Sequence, residues 1–73
     1  MFPNLRAELA RKRITYQQIG QLIGKSKDNV YAKMAGKTDF KLNEMLLIKE
    51  SYFKDLELEY LFYIDEEERK LAQ

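Results

Sequence analysis

Residues 15–36 read TYQQIGQLIGKSKDNVYAKMAG, and this stretch decides the fold. Thr15 and Gln18 have the spacing of a capping box, in which each side chain satisfies the other residue's orphan backbone N–H, so a helix begins at Thr15. Ile19, Leu22 and Ile23 give that helix an apolar face, and Gly24 stands where a left-handed residue ends it. Ser26 is a good N-cap for the next helix, which carries Val30 and Met34 at i, i+4 and stops at Gly36. Gly20 lies mid-helix, where glycine costs roughly 1 kcal/mol relative to alanine. Close approach of a second backbone offsets that cost, with Gly24 allowing the sharp turn and Ile19, Ile23 and Val30 filling the wedge. Two short helices joined this tightly specify a helix-turn-helix.

On the N-terminal side of this pair, Leu5 and Leu9 lie at i, i+4 within a first helix from about Pro3 to Lys12, and proline is tolerated near a helix start. Downstream, Glu44 has the spacing to reach back to the backbone of Lys41, which opens a fourth helix. Leu42, Met45, Leu46 and Ile48 give it a broad apolar face. A short last helix falls within Leu56–Phe62. The expected architecture is all-α, a five-helix domain over residues 1–64 followed by a charged tail, 65–73. The tail's acidic run, Asp65 to Glu68, lacks the interspersed turn ligands that a hard cation requires.

Composition narrows the chemistry. Seventy-three residues make one small domain. The chain has no cysteine and no histidine, which removes thiolate metal sites, disulfides and the commonest acid–base catalyst. It has no phosphate-cradling glycine loop and no room for a sizeable pocket, so no enzyme, cofactor, metal or small-molecule substrate is expected. No apolar run is long enough for a membrane span and no signal-peptide pattern opens the chain, so a cytoplasmic protein is expected. The net charge of +1 conceals a division. Residues 1–37 hold eight bases against two acids, a net of +6, whereas residues 38–73 hold five against ten, a net of −5. A basic half facing phosphates would account for that polarity; so would ordinary solvated surface.

The second and third helices, together with the segment C-terminal to them, carry a family likeness. Residues 15–48 resemble the phage-repressor/Cro-type (XRE-like) helix-turn-helix family, and in particular short phage-derived regulators. In these the third helix ends in a Lys-apolar-x-Gly-Lys pattern followed by phenylalanine and a capped helix. Here the pattern is Lys33-Met34-Ala35-Gly36-Lys37-Thr38-Asp39-Phe40, then Glu44. The chain departs from the family at Lys25, a turn position that is usually aliphatic; at Lys41, where serine or threonine usually caps; and at Tyr16, usually glutamine. A lysine stem can cover apolar surface while its ammonium reaches water or phosphate, so the turn is simply more basic than usual.

The resemblance implies a compact, lambda-repressor-like DNA-binding domain acting as a sequence-specific transcriptional regulator, a phage or prophage repressor, on double-stranded operator DNA. The recognition helix, residues 26–35, lies in the major groove while the helix before it crosses the backbone. By position Lys27, Asp28 and Ala32 face bases, flanked by Tyr31. Lys27 would donate to guanine, Asp28 would accept from cytosine, and Ala32 would lie near a thymine methyl. Tyr16, Gln17, Lys25, Ser26, Asn29, Lys33 and Lys37 fall to phosphates, with backbone amides at the start of the second helix, and Arg11 and Arg13 as additions. Each has a plainer reading. The lysines are ordinary surface residues taken singly, Asp28 suits a first turn because of the helix dipole, and Tyr31 could pack on the first helix.

Such proteins usually bind two half-sites as dimers. The segment from Leu58 to Ile64 is too apolar for one short helix to bury. Leu61 and Phe62 are expected in the core, and Tyr60, Tyr63 and Ile64 are expected partly exposed, as the surface of a homodimer. The alternative function is a protein-interaction adaptor or antitoxin-like module on the same scaffold, using that aromatic face.

Overall fold

Helix α1 spans Pro3–Lys12. It starts with proline in the first turn, where the missing N–H is no loss, and ends at Arg13 in a left-handed conformation (φ 57°). Arg13 N–H returns to the Ala10 carbonyl (3.1 Å) and Ile14 N–H to that of Leu9 (2.9 Å), closing the helix end. Then come α2 (Tyr16–Ile23), α3 (Lys27–Met34), α4 (Leu42–Tyr52) and α5 (Leu58–Leu61). The computed structural model describes residues 1–65, which hold five helices and no strand. The charged tail anticipated at 65–73 lies, from residue 66 onward, outside the described residues. No helix among the described residues is long and apolar enough to cross a membrane.

The core draws on every element. Leu5 and Leu9 come from α1, Ile19 from α2, Val30 and Met34 from α3, Ile48 from α4 and Leu61 from α5, closed by Phe2, Phe40 and Phe53 from the connections. Phe2, Phe40 and Phe62 form an edge-to-face triangle with ring centroids 5.4, 5.9 and 5.4 Å apart. It joins the start of the chain, the α3–α4 connection and the end of α5, in the geometry that aromatic quadrupoles favour. Leu61 is fully buried as expected, and Phe62 is half-buried against the core.

Helix α5 is clasped to α1 by polar groups. The Tyr60 hydroxyl donates to Glu8 Oε2 (2.8 Å), and Asn4 Nδ2 donates to the Tyr60 carbonyl (2.9 Å). Glu8 is buried, and Arg11 Nη1 supplies its counter-charge at 3.0 Å. Tyr60 and Tyr63 are exposed and Ile64 half-buried. Tyr60 is therefore exposed while its hydroxyl is committed within the chain.

The broad apolar face expected on α4 needs correction. Ile48 is buried and Met45 half-buried, but Leu42 is 60% exposed, and Leu46 and Leu47 are exposed as well. The inward stripe is instead Glu44 and Ile48, at i, i+4, which turns Leu42 and Leu46 to roughly the opposite side. A carboxylate, not a leucine, occupies the centre of the buried face because a lysine from α3 meets it there.

Candidate nucleic-acid interface

Local hydrogen bonds set the α2–α3 pair. Thr15 Oγ1 accepts from Gln18 N–H (3.1 Å) and Gln18 Oε1 from Thr15 N–H (2.7 Å), so the capping box is complete. Gly24 adopts φ 73°, and Lys25 N–H returns to the Gly20 carbonyl at 2.8 Å. The turn then passes directly over Gly20, where an added Cβ would lie 2.5 Å from the Lys25 carbonyl oxygen. Glycine is required here by the turn's own backbone more than by the body of α3. Ser26 Oγ accepts from Asn29 N–H (3.1 Å) and caps α3.

Helix α3 has two unlike sides. Val30, Lys33 and Met34 are buried, while Lys27, Asp28 and Tyr31 are exposed and Ala32 is half-buried. Lys27 and Tyr31, at i, i+4, join Ile14, Thr15, Tyr16 and Gln17 around one open depression between α3 and the N-terminal end of α2. Tyr31 is 56% exposed. It meets Tyr16 edge to face, centroids 4.7 Å apart at 77°, so its support comes from α2 and not from the first helix. Tyr16 is half-buried, with its ring against the core, and its side chain is a shelf for Tyr31.

Lys33 leaves the set of expected phosphate contacts. It is only 5% exposed, its Nζ lies 3.0 Å from Glu44 Oε1, and it donates to the Asp39 carbonyl at 3.0 Å. The ammonium also stands 5.8 Å from the centre of the Phe40 ring. The physical reason is the helix period, which places residue 33 beside Val30 and Met34 on the inward side. The same Glu44 oxygen accepts Lys41 N–H (2.9 Å), as the cap spacing implied. A lysine side chain has no acceptor to complete the box, so only this half of it forms. Burial pushes the Glu44 carboxyl up, but the Lys41 N–H, the Lys33 ammonium and the charge of Lys25 outweigh it and hold it below its usual value.

The other anticipated contacts divide. Gln17, Lys25, Ser26, Lys27, Asp28 and Lys37 are exposed. Asn29 is half-buried, with Oδ1 sealed from solvent and without a donor, leaving its amide nitrogen as the end that can meet an anion. Arg13 is exposed, but Arg11 donates to both oxygens of Glu8 (3.0 and 3.1 Å). Lys12 donates to the Tyr52 carbonyl and lies 5.0 Å over the Phe53 ring. The basic half of the sequence thus gives internal partners to four cations: Lys33, Arg11, Lys12 and Arg6, the last through the Met1 carbonyl at 3.4 Å. The sequence alone did not reveal the Tyr16–Tyr31 contact; its one signal was an aromatic residue, Tyr16, in the first turn of α2.

Comparison with protein-family models, curated proteins and solved structures returns no match to this chain.

Proposed function

We propose that this protein is a sequence-specific double-stranded DNA-binding transcriptional regulator of the phage-repressor type, with α3 entering the major groove. The observation that carries the reading is the exposed side of α3, where Lys27, Asp28 and Tyr31 stand beside the capped start of α2 at one depression. That face offers a cation, an acceptor and an apolar ring to base edges, while the first amides of α2 suit a backbone phosphate. The working cations are Lys25, Lys27 and Lys37, without Lys33. Two copies act on paired half-sites, in contact through Tyr60, Tyr63 and Ile64, with Tyr63 and Ile64 the principal surface because the Tyr60 hydroxyl is engaged by Glu8.

The test is a titration against duplex DNA at several salt concentrations. The log–log slope should be steeply negative, and Lys27→Glu should weaken binding markedly. Indifference to both salt and substitution would remove the assignment.

A second reading, a protein-interaction adaptor, draws on the exposed Leu42, Leu46 and Leu47 of α4 in addition to the aromatic end of the chain. It requires no DNA affinity, and the same titration separates the two.

A further inference from the structure

We infer that Tyr31 is a specificity-determining residue that selects a pyrimidine C5-methyl group, and that Tyr16 is the positioning residue holding its ring in place. This inference rests on the DNA-binding reading and names what that site prefers. Tyr31 lies on the outward stripe of α3 with Lys27 and is the largest apolar side chain on that helix's exposed face. Its ring cannot fold back onto the protein along the α2 side, because the Tyr16 ring already occupies that space at 4.7 Å and nearly perpendicular. Tyr16 is in turn backed by the core. An exposed aromatic ring is thereby backed on one side, which reduces the side-chain freedom it loses on binding.

The major-groove edges of the bases are almost wholly polar. Thymine's C5-methyl is the one apolar group they carry. A ring backed in this way and entering that groove gains most by covering such a methyl, and gains nothing comparable over cytosine, which has hydrogen at the same carbon. Neighbouring Ala32 is half-buried and short, so it leaves the ring as the side chain with reach.

The experiment uses the full chain. Binding sites are first selected from random duplexes, and each thymine of the recovered site is then replaced singly by uracil, which removes the methyl and keeps the pairing. Wild type should lose about fourfold in affinity at one or two positions per half-site, the worth of one methyl group covered. Tyr31→Ala should bind thymine and uracil duplexes equally. Tyr16→Ala should lose most of the discrimination with an unchanged salt slope, and Tyr16→Phe should keep it. Circular dichroism verifies that each variant is folded, and the uracil scan of wild type stands without any variant. A recovered site that is indifferent to uracil throughout, or a penalty that survives in Tyr31→Ala, overturns the inference and spares the regulator assignment. A full penalty in folded Tyr16→Ala overturns the positioning role. Failure to recover any site overturns the DNA reading itself, and this inference with it.

Discussion

Lys33 and Glu44 form an ion pair at 3.0 Å with both side chains nearly removed from water. Breaking a pair of this kind costs far more than replacing it, because the stranded partner keeps its desolvation penalty. Lys33→Met alone should lower stability by about 3–5 kcal/mol, most of what a small domain has. Lys33→Met combined with Glu44→Gln, which keeps an acceptor for Lys41 N–H, should recover more than half of that loss. Urea unfolding of the single and double variants measures the difference. In the double variant the salt slope of DNA binding should match wild type; a slope shallower by about one would return Lys33 to the phosphate contacts.

Acid should weaken the same joint. Glu44 titrates lower in the folded chain than its usual 4.5, so the folded state holds fewer protons. Its stabilisation is therefore complete above that value and is lost as pH falls through the depressed folded value. Urea midpoints at pH 7, 5 and 3 should fall chiefly over the last interval, and less steeply in Lys33→Met/Glu44→Gln.

At the alkaline end the sign reverses. The hydrogen bond to Glu8, with partial burial and Glu8's charge, raises the Tyr60 hydroxyl above its usual 10.0. The clasp between α1 and α5 is present below that value and is lost as pH rises through the folded one. Tyr60→Phe should be less stable than wild type at pH 8 and should lack this alkaline loss, as followed by thermal melting.

Gly20 and Gly24 should respond to alanine for different reasons. In an exposed helix Gly→Ala gains roughly 1 kcal/mol, but at Gly20 the Lys25 carbonyl stands 2.5 Å from the new carbon, so the turn must shift. Gly20→Ala should cost about 1–3 kcal/mol, in the range of overpacked sites. Nothing lies near a Cβ at Gly24, yet φ 73° makes alanine unfavourable there by about 1 kcal/mol. Thermal melts should drop by several degrees for each variant.

Two exposed apolar surfaces are candidates for the proposed self-association. Tyr63→Lys and Leu46→Lys both alter exposed positions and should change stability by no more than about 0.5 kcal/mol. Sedimentation at tens of micromolar should show dimers for wild type and Leu46→Lys, and monomers for Tyr63→Lys. The opposite pattern would move the contact to α4, and monomer throughout would end the dimer proposal.

What could be read in advance was local. Thr15, Ser26 and Glu44 act on backbone groups three residues away, Gly24 and Gly36 take positive φ, and the bounds of α1 reflect Pro3 and the run of residues behind it. Most failures were at longer range, Arg11, bound by Glu8 three residues before it, being the short-range exception. Leu42, Met45, Leu46, Leu47 and Ile48 crowd a short helix so densely that no single stripe stands out, and only Lys33, arriving from α3, chooses the side that turns inward. Lys33 itself reads as a surface lysine until its carboxylate partner is known. Tyr16 and Tyr31 belong to different helices, and nothing in either segment alone announces their contact. The candidate site was therefore legible as a face of α3, but not in which of its cations and rings are bound up by the protein.

The three-ring cluster of Phe2, Phe40 and Phe62 has a consequence for how the molecule comes apart. Its members lie far apart along the chain, so the cluster closes only after the intervening helices have been arranged, at a large loop entropy. Phe40 also anchors the connection leaving α3. Fraying at Phe2 or Phe62 therefore does not stay local; it loosens the support behind α3. Amide exchange in residues 36–41 should rise together with that of the two ends, as one opening unit.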